Sequence, residues 1–222
     1  MNTLIQDIRY GLRGLLRQPG FTLIAVLSLA LGIGANTAMF SLVNAVLLKP
    51  LQFSEPDRLV VIWENNPSIG AVRDDVAVAN FVDWKTQNKV FDEMAALSFR
   101  SFNITGDGEP EKVMAYGATA NFFPLLGATP ALGRNFLPEE DQPGAAKVAI
   151  LSYGLWQRRY GADRGIVGRN ILPNGRKHTV IGVMPADFRF LYASTAMWVP
   201  AVFSAEELTK RDNQNLNVAR AP

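Results

Sequence analysis

The stretch from Pro19 to Leu48 carries no ionisable residue, and Lys49 closes it. Fifteen of the twenty-eight residues from Phe21 to Leu48 are Leu, Ile, Val, Phe or Met. A helix of that length reaches roughly 42 Å, against about 30 Å of bilayer hydrocarbon. Large apolar residues contribute about −0.3 to −0.6 kcal/mol each near the centre of a spanning helix, so insertion is favoured by several kcal/mol. The pattern predicts one membrane-spanning helix over 19–48. A cleaved signal peptide is the rival, because it too has a basic start and an apolar core. The apolar run is about twice as long as such a core, and Ala35 and Ala38 are spaced three apart, which does not make a small-x-small cleavage site.

Charge gives the orientation. Three arginines, Arg9, Arg13 and Arg17, and one aspartate precede the span. They leave nineteen basic and nineteen acidic residues beyond it, so the whole formal excess of +2 lies on the N-terminal flank. Positive flanks mark the cytoplasmic side, which puts the residues after Lys49 outside the cytoplasm. The isoelectric point of about 9.0 does not mark a nucleic-acid binder, since the large segment is balanced and shows no basic stripe.

The flank itself is patterned. Leu4, Ile8, Leu12, Leu15 and Leu16 share one helical face, while Arg9, Arg13 and Arg17 recur four apart on another. Residues 1–18 therefore read as an amphipathic helix for the cytoplasmic interface, or else as an irregular basic tail, with Pro19-Gly20 separating them from the span. Inside the span, Ser28, Gly32 and Asn36 form one small or polar ridge, and Ala30, Gly34 and Ala38 form another. Small residues four apart let backbones approach, and an Asn in lipid calls for an interhelical partner. Gly and Ala are common in spans for no such reason, yet Asn36 and Asn44 give a lone anchor nothing. The ridges predict packing against other transmembrane helices.

Residues 49–222 suffice for one or two small domains. Cysteine is absent, which removes disulfides and thiol chemistry. Strands are expected at 59–64, 98–105, 112–119, 148–151, 170–172, 178–183 and 197–200, with another beginning after Asn215. Helices are expected at 79–94, at 122–126 behind an Asn121 cap, and at 153–160 before Gly161. The turns at 106–111 and 173–175 read as hairpin turns. Hairpins mixed with helices argue for an α+β fold.

Sites for chemistry are few. His178 is the only histidine, so neither a histidine metal cage nor a Ser-His-Asp triad can be built, and His178 is expected to sit on a strand beside a turn. No Gly-x4-Gly-Lys-Ser/Thr loop occurs for binding ATP. Glu139, Glu140 and Asp141 read as a solvated turn before a cation site, since no calcium-loop spacing follows, and Asp74-Asp75 is similarly plain. Trp84, Trp156 and Trp198 are expected in the core or at a domain interface. No catalytic, cofactor-binding or metal-binding residue is assigned, and no enzyme activity is expected.

The order of segments resembles a known family. DIRYGLRGLLRQPGFT, then LALGIGANTAMFSLVNAVLLKPL and ANFVDWKTQNKVFDEMAAL, look like permease subunits of MacB-like, FtsX-type ABC transporters. ATANFFPLLGATPALGRNFLPEED, VAILSYGLWQRRYGADRGIVGRNI and HTVIGVMPADFRFL are similar to the family's periplasmic core domain, nearest to ATPase-less permeases of soil bacteria. The resemblance implies an inner-membrane permease with one N-terminal span, a periplasmic core domain of two small α+β subdomains, and three later spans. It implies a homodimer working with a cytoplasmic ABC ATPase that binds the ATP, a possible periplasmic adaptor, and transport or efflux of a substrate. The end at Pro222 departs from that pattern and reads as a C-terminal truncation. A membrane-anchored sensor or adaptor without transport, and an anchored carboxylate enzyme, are the other readings.

Overall fold

A computed structural model describes residues 6, 10, 13–43, 53–66, 70–190, 192, 194–209 and 213–221. The chain forms two compact units, 1–51 and 52–222. In the first, residues 13–17 are helical, Gln18 interrupts, and helix α1 runs Pro19–Val43. Proline at the first helical position loses nothing, because its missing N–H would have no intrahelical partner there. The Thr22 hydroxyl donates to the carbonyls of Leu15 (2.7 Å) and Gln18 (3.0 Å), tying the two helical pieces across the break. The window Pro19–Ser41 is long and apolar enough to cross a membrane, and none of it is buried within the chain. Leu4, Ile8, Arg9 and Leu12, and the stretch from Asn44 to Lys49, lie outside the described residues.

The second unit contains strands β1 (Leu59–Ile62), β2 (Glu64–Asn66), β3 (Ala71–Asp74) and β4 (Val76–Ala77), then helix α2 (Val78–Gln87). Strands β5 (Glu93–Thr105) and β6 (Glu111–Ala118) follow, then α3 (Phe122–Leu125), β7 (Leu132–Gly133), β8 (Val148–Leu151) and α4 (Tyr153–Tyr160). Strands β9 (Asn170–Pro173), β10 (His178–Val183), β11 (Thr195–Pro200) and β12 (Asn213–Arg220) complete the order. An α+β domain after one apolar helix is what the pattern of residues predicts. Residues 52–222 form one compact unit, in which most of the described strands share one sheet and β2 pairs with β3 in a second.

Two expectations change. The helix expected at 79–94 stops at Gln87, because the Asn88 side chain accepts from the N–H groups of Val90 and Phe91. Such a local loop competes with the next helical turn, and from Glu93 the chain is already strand β5, so Met94 packs from a sheet. The strand expected at 59–64 is broken at Trp63 into β1 and β2. Asn121 precedes α3 but makes no side-chain cap there. Its amide donates instead to the Met94 carbonyl (2.9 Å), and its carbonyl accepts from the Thr119 hydroxyl (2.9 Å).

The sheet closes on itself. Strand β5 pairs with β6, β6 with β11, β11 with β8, β8 with β10 and β10 with β9. Strand β9 then returns to β5 through Ile104↔Pro173 and Thr105↔Leu172. Side chains alternate across a strand, so a closed ring has one inner and one outer face. Ile104, Val113, Ala115, Ala149, Leu151, Ile171, Val180, Met197 and Val199 form the inner cluster. Helix α4 adds Leu155, Trp156 and Tyr160 to it. Ser152 caps that helix by accepting from Leu155 N–H, and Gly161 ends it in a left-handed conformation. The outer face carries Leu97, Tyr116, Ile150, Ile181 and Trp198 beneath α3. There Phe123 lies within 5.9 Å of the ring centres of Phe122, Phe136, Phe188 and Trp198. A third cluster joins Val76, Phe81, Met94 and Ala96, with Trp84 half-buried against it. Trp156 and Trp198 are core residues, as expected.

Candidate functional site

Where α4 fills one end of the ring, the other end is open. The starts of β8 and β10, the end of β11, and residues from β5 and β9 surround a cleft of about 700 Å³. Its wall includes Phe102, Val148, Pro173, His178 and Val199. These positions follow from strand alternation: Phe102 has the parity of Ile104, His178 that of Val180, and Val199 that of Met197. The segment 144–147 forms one rim, and Pro200 and Val202 another.

His178 is 7% exposed. Its Nδ1–H donates to the Arg176 carbonyl at 3.0 Å, since a carbonyl can only accept, and this leaves Nε2 as an acceptor. Its ring meets the edge of Phe102, with centroids 6.1 Å apart. Burial holds the His178 pKa below its ordinary value against the opposing pull of the Arg176 carbonyl, and the nearby charges of Lys147 and Arg176 add to the lowering. The imidazole is therefore neutral at pH 7. Beside a strand turn is where the sequence places it; the burial and the cleft are additional.

The acidic turn is not simply solvated. Glu139 is exposed, but Glu140 is buried and grips Arg134 in a two-pronged ion pair while accepting from Leu137 N–H at 2.8 Å. Asp141 accepts from Ala120 N–H at 3.0 Å. These carboxylates pin the 134–142 loop onto the fold by accepting from the Leu137 and Ala120 N–H groups. Lys147 and Arg176 are exposed, and among the described residues neither has an acidic partner. With Glu140 neutralised by Arg134, the cleft is locally positive. Among the described residues no group of three or more Asp, Glu or His could hold a metal ion. Among the described residues, no carboxylate or hydroxyl is hydrogen-bonded to His178; its one such contact is to the Arg176 carbonyl.

The residues singled out for membrane packing all lie on α1. Ser28, Ala30, Gly32, Gly34, Asn36 and Ala38 are exposed within the chain, and a Cβ added at Gly32 or Gly34 would meet nothing within 4 Å. At about 100° per residue, the ridge of Ser28, Gly32 and Asn36 lies on the opposite face from that of Ala30, Gly34 and Ala38. Arg13 and Arg17 are exposed on the helical turn 13–17.

The model of the MacB-like periplasmic core domain family matches residues 22–221, nearly the whole chain. The chain belongs to this family. Its fold is similar to a permease-protein domain from Porphyromonas gingivalis, with a TM-score of 0.58 and 17% identity over 77% of this chain and 78% of that one. It is also similar to the periplasmic region of MacB from Actinobacillus actinomycetemcomitans, with a TM-score of 0.55 and 15% identity over 73% of each chain. At such identities the shared property is the fold. No curated protein matches the sequence. A MacB-like periplasmic core domain match that begins within an apolar N-terminal helix makes this a membrane protein with an extracytoplasmic domain, and a component of a transporter permease.

Proposed function

We propose that the chain is a non-catalytic permease subunit of a MacB-like ABC transporter, whose extracytoplasmic domain passes ATP-driven helix motion to a substrate for export or extraction. The family match across 22–221, which takes in most of α1, is the observation that carries this reading. In it, residues 1–18 are the cytoplasmic segment, 19–48 the inner-membrane span and 49–222 the periplasmic domain. Arg9, Arg13 and Arg17 anchor the cytoplasmic side by the positive-inside rule. Residues of the two α1 ridges pack on partner spans of a homodimeric permease, and because the ridges oppose each other, α1 would stand between two neighbours. ATP is bound by a separate cytoplasmic ATPase, and a periplasmic adaptor is a further partner. The subunit itself carries no cofactor.

The lack of native cysteine permits a direct test. Gln6→Cys and Glu109→Cys both place a thiol at an exposed position. A membrane-impermeant maleimide added to intact spheroplasts should label the second and spare the first until lysis; the reverse pattern overturns the orientation. Cross-linked membranes should yield an ABC ATPase with the chain. Failure to recover any ATPase overturns the transporter reading and favours an extracytoplasmic binding adaptor, to which the cleft at the open end of the ring also lends weight.

A further inference from the structure

We propose that the open mouth of the barrel binds an amphipathic anion, an apolar body bearing a single carboxylate, sulfonate or phosphate group. The cleft of about 700 Å³ falls within the size of sites that enclose small organic ligands, roughly 300–1,000 Å³. Its floor is the end of the barrel's own apolar filling, where Val199 belongs to the inner cluster and Phe102 packs against it. Val202, 40% exposed, extends that apolar surface to the rim.

The polar half is one-sided in charge. Lys147 and Arg176 stand at the rim without acidic partners, and both act electrostatically on His178. Among the described residues, the one carboxylate lining the cleft, Glu140, is held by Arg134 and Leu137 N–H. A cation entering here would meet two uncompensated positive charges; an anion would meet two free donors. His178, neutral and with Nε2 as acceptor, lies between the apolar floor and the charged rim, where it can accept from a protonated or hydroxylated group on the ligand. Apolar floor and cationic rim together exclude both a plain inorganic anion and an uncharged hydrocarbon as the best-fitting ligand. Binding in the cleft does not depend on any coupling to an ATPase.

The test uses the whole chain in nanodiscs of zwitterionic lipid, with dodecanoate as probe. Because His178 is the only histidine, one imidazole resonance reports the site. Dodecanoate should shift that resonance saturably and raise the His178 pKa, since a bound anion favours the imidazolium. Acetate and dodecyltrimethylammonium at equal concentration should do neither. The double substitution Lys147→Glu with Arg176→Glu should weaken dodecanoate binding about tenfold, as should Val202→Asp. All three positions are exposed or partly exposed, and an unchanged melting temperature verifies folding. Equal binding of acetate or of the cationic amphiphile overturns the proposal, as does an unaltered affinity in the charge-reversed variant. Displacement of dodecanoate by phosphatidylglycerol added to the nanodiscs assigns the natural ligand to lipid; retention assigns it to a free solute.

Discussion

Arg134 holds Glu140 through two parallel hydrogen bonds, Nη1 to Oε2 at 2.9 Å and Nη2 to Oε1 at 2.7 Å. Burial pushes the Glu140 pKa up, but the Arg134 fork and the Leu137 N–H outweigh it and hold the carboxyl below its ordinary value. The Arg134 side chain is 45% exposed, so solvent screens part of the attraction.

Removing the arginine should nevertheless be felt, because it strands a buried carboxylate. Arg134→Ala is expected to cost about 1–3 kcal/mol in chemical denaturation. The sign of the pH effect follows from the depressed pKa: Glu140 stabilises the fold above its unfolded value and loses that contribution as pH falls through the folded one. Acid melting curves of wild type and Arg134→Ala should therefore converge below about pH 4.

His178 sets a different window. Its folded pKa lies below its unfolded value, chiefly through burial, so the unfolded chain binds the extra proton first. Stability is then full above about pH 6.5 and declines as pH falls through it. Lys147 and Arg176 face the ring and strengthen the effect. Replacement by the uncharged His178→Gln should flatten thermal stability between pH 7 and pH 5, measured by circular dichroism. A wild-type curve that is already flat there refutes the assignment.

Gly133 sits at φ +78° in β7, paired with Gly182 of β10. A Cβ there would overlap the carbonyl oxygen of Ile181, which is backbone and cannot step aside. Gly168 has a similar φ of +91°, yet a Cβ there meets nothing within 4 Å. Gly168→Ala should cost about 1–2 kcal/mol from backbone strain alone. Gly133→Ala should cost about 3 kcal/mol or more, as overpacking adds to the same strain. Urea midpoints of the two variants provide the comparison.

In the span, Gly32→Leu and Gly34→Leu obstruct ridges on opposite faces. Each should reduce recovery of the assembled permease in mild detergent, and their effects on association free energy should add, because sites without shared partners are independent. Unchanged assembly in both variants refutes the packing role of the ridges.

What the residues disclosed before the fold was known depended on how far each signal reaches along the chain. Local signals were legible: the apolar run of α1, the Gly161 stop of α4, and the turn joining β9 to β10. The helix expected through Met94 failed because Val90, Phe91 and Met94 mimic helical spacing while Asn88 redirects the backbone at short range. Closure of the ring was not legible at all, since β9 meets β5 across a separation of about seventy residues and neither strand's pattern names its partner. The cleft inherits that blindness. Phe102, Lys147, His178 and Val199 come from four strands or their flanks, and only the lone histidine stands out in the linear sequence.

Leu59 at the start of β1 lies directly opposite Arg220 at the end of β12. Arg58 fastens this corner: its Nε donates to the Ala221 carbonyl at 2.9 Å, and its carbonyl accepts from Ala221 N–H at 2.8 Å. The strand that opens the domain and the strand that ends the described chain thus leave it side by side at one corner. Tension applied to both leads in the same direction would load the corner as one piece, without drawing β1 away from β12. Tension that parts the leads would instead first pull Phe53 and Ser54 from Phe188, Phe190 and Leu126, and then peel β1 from β12 one pair at a time from the Arg58 clasp. In mechanical terms the corner tolerates hoisting and is vulnerable to splaying.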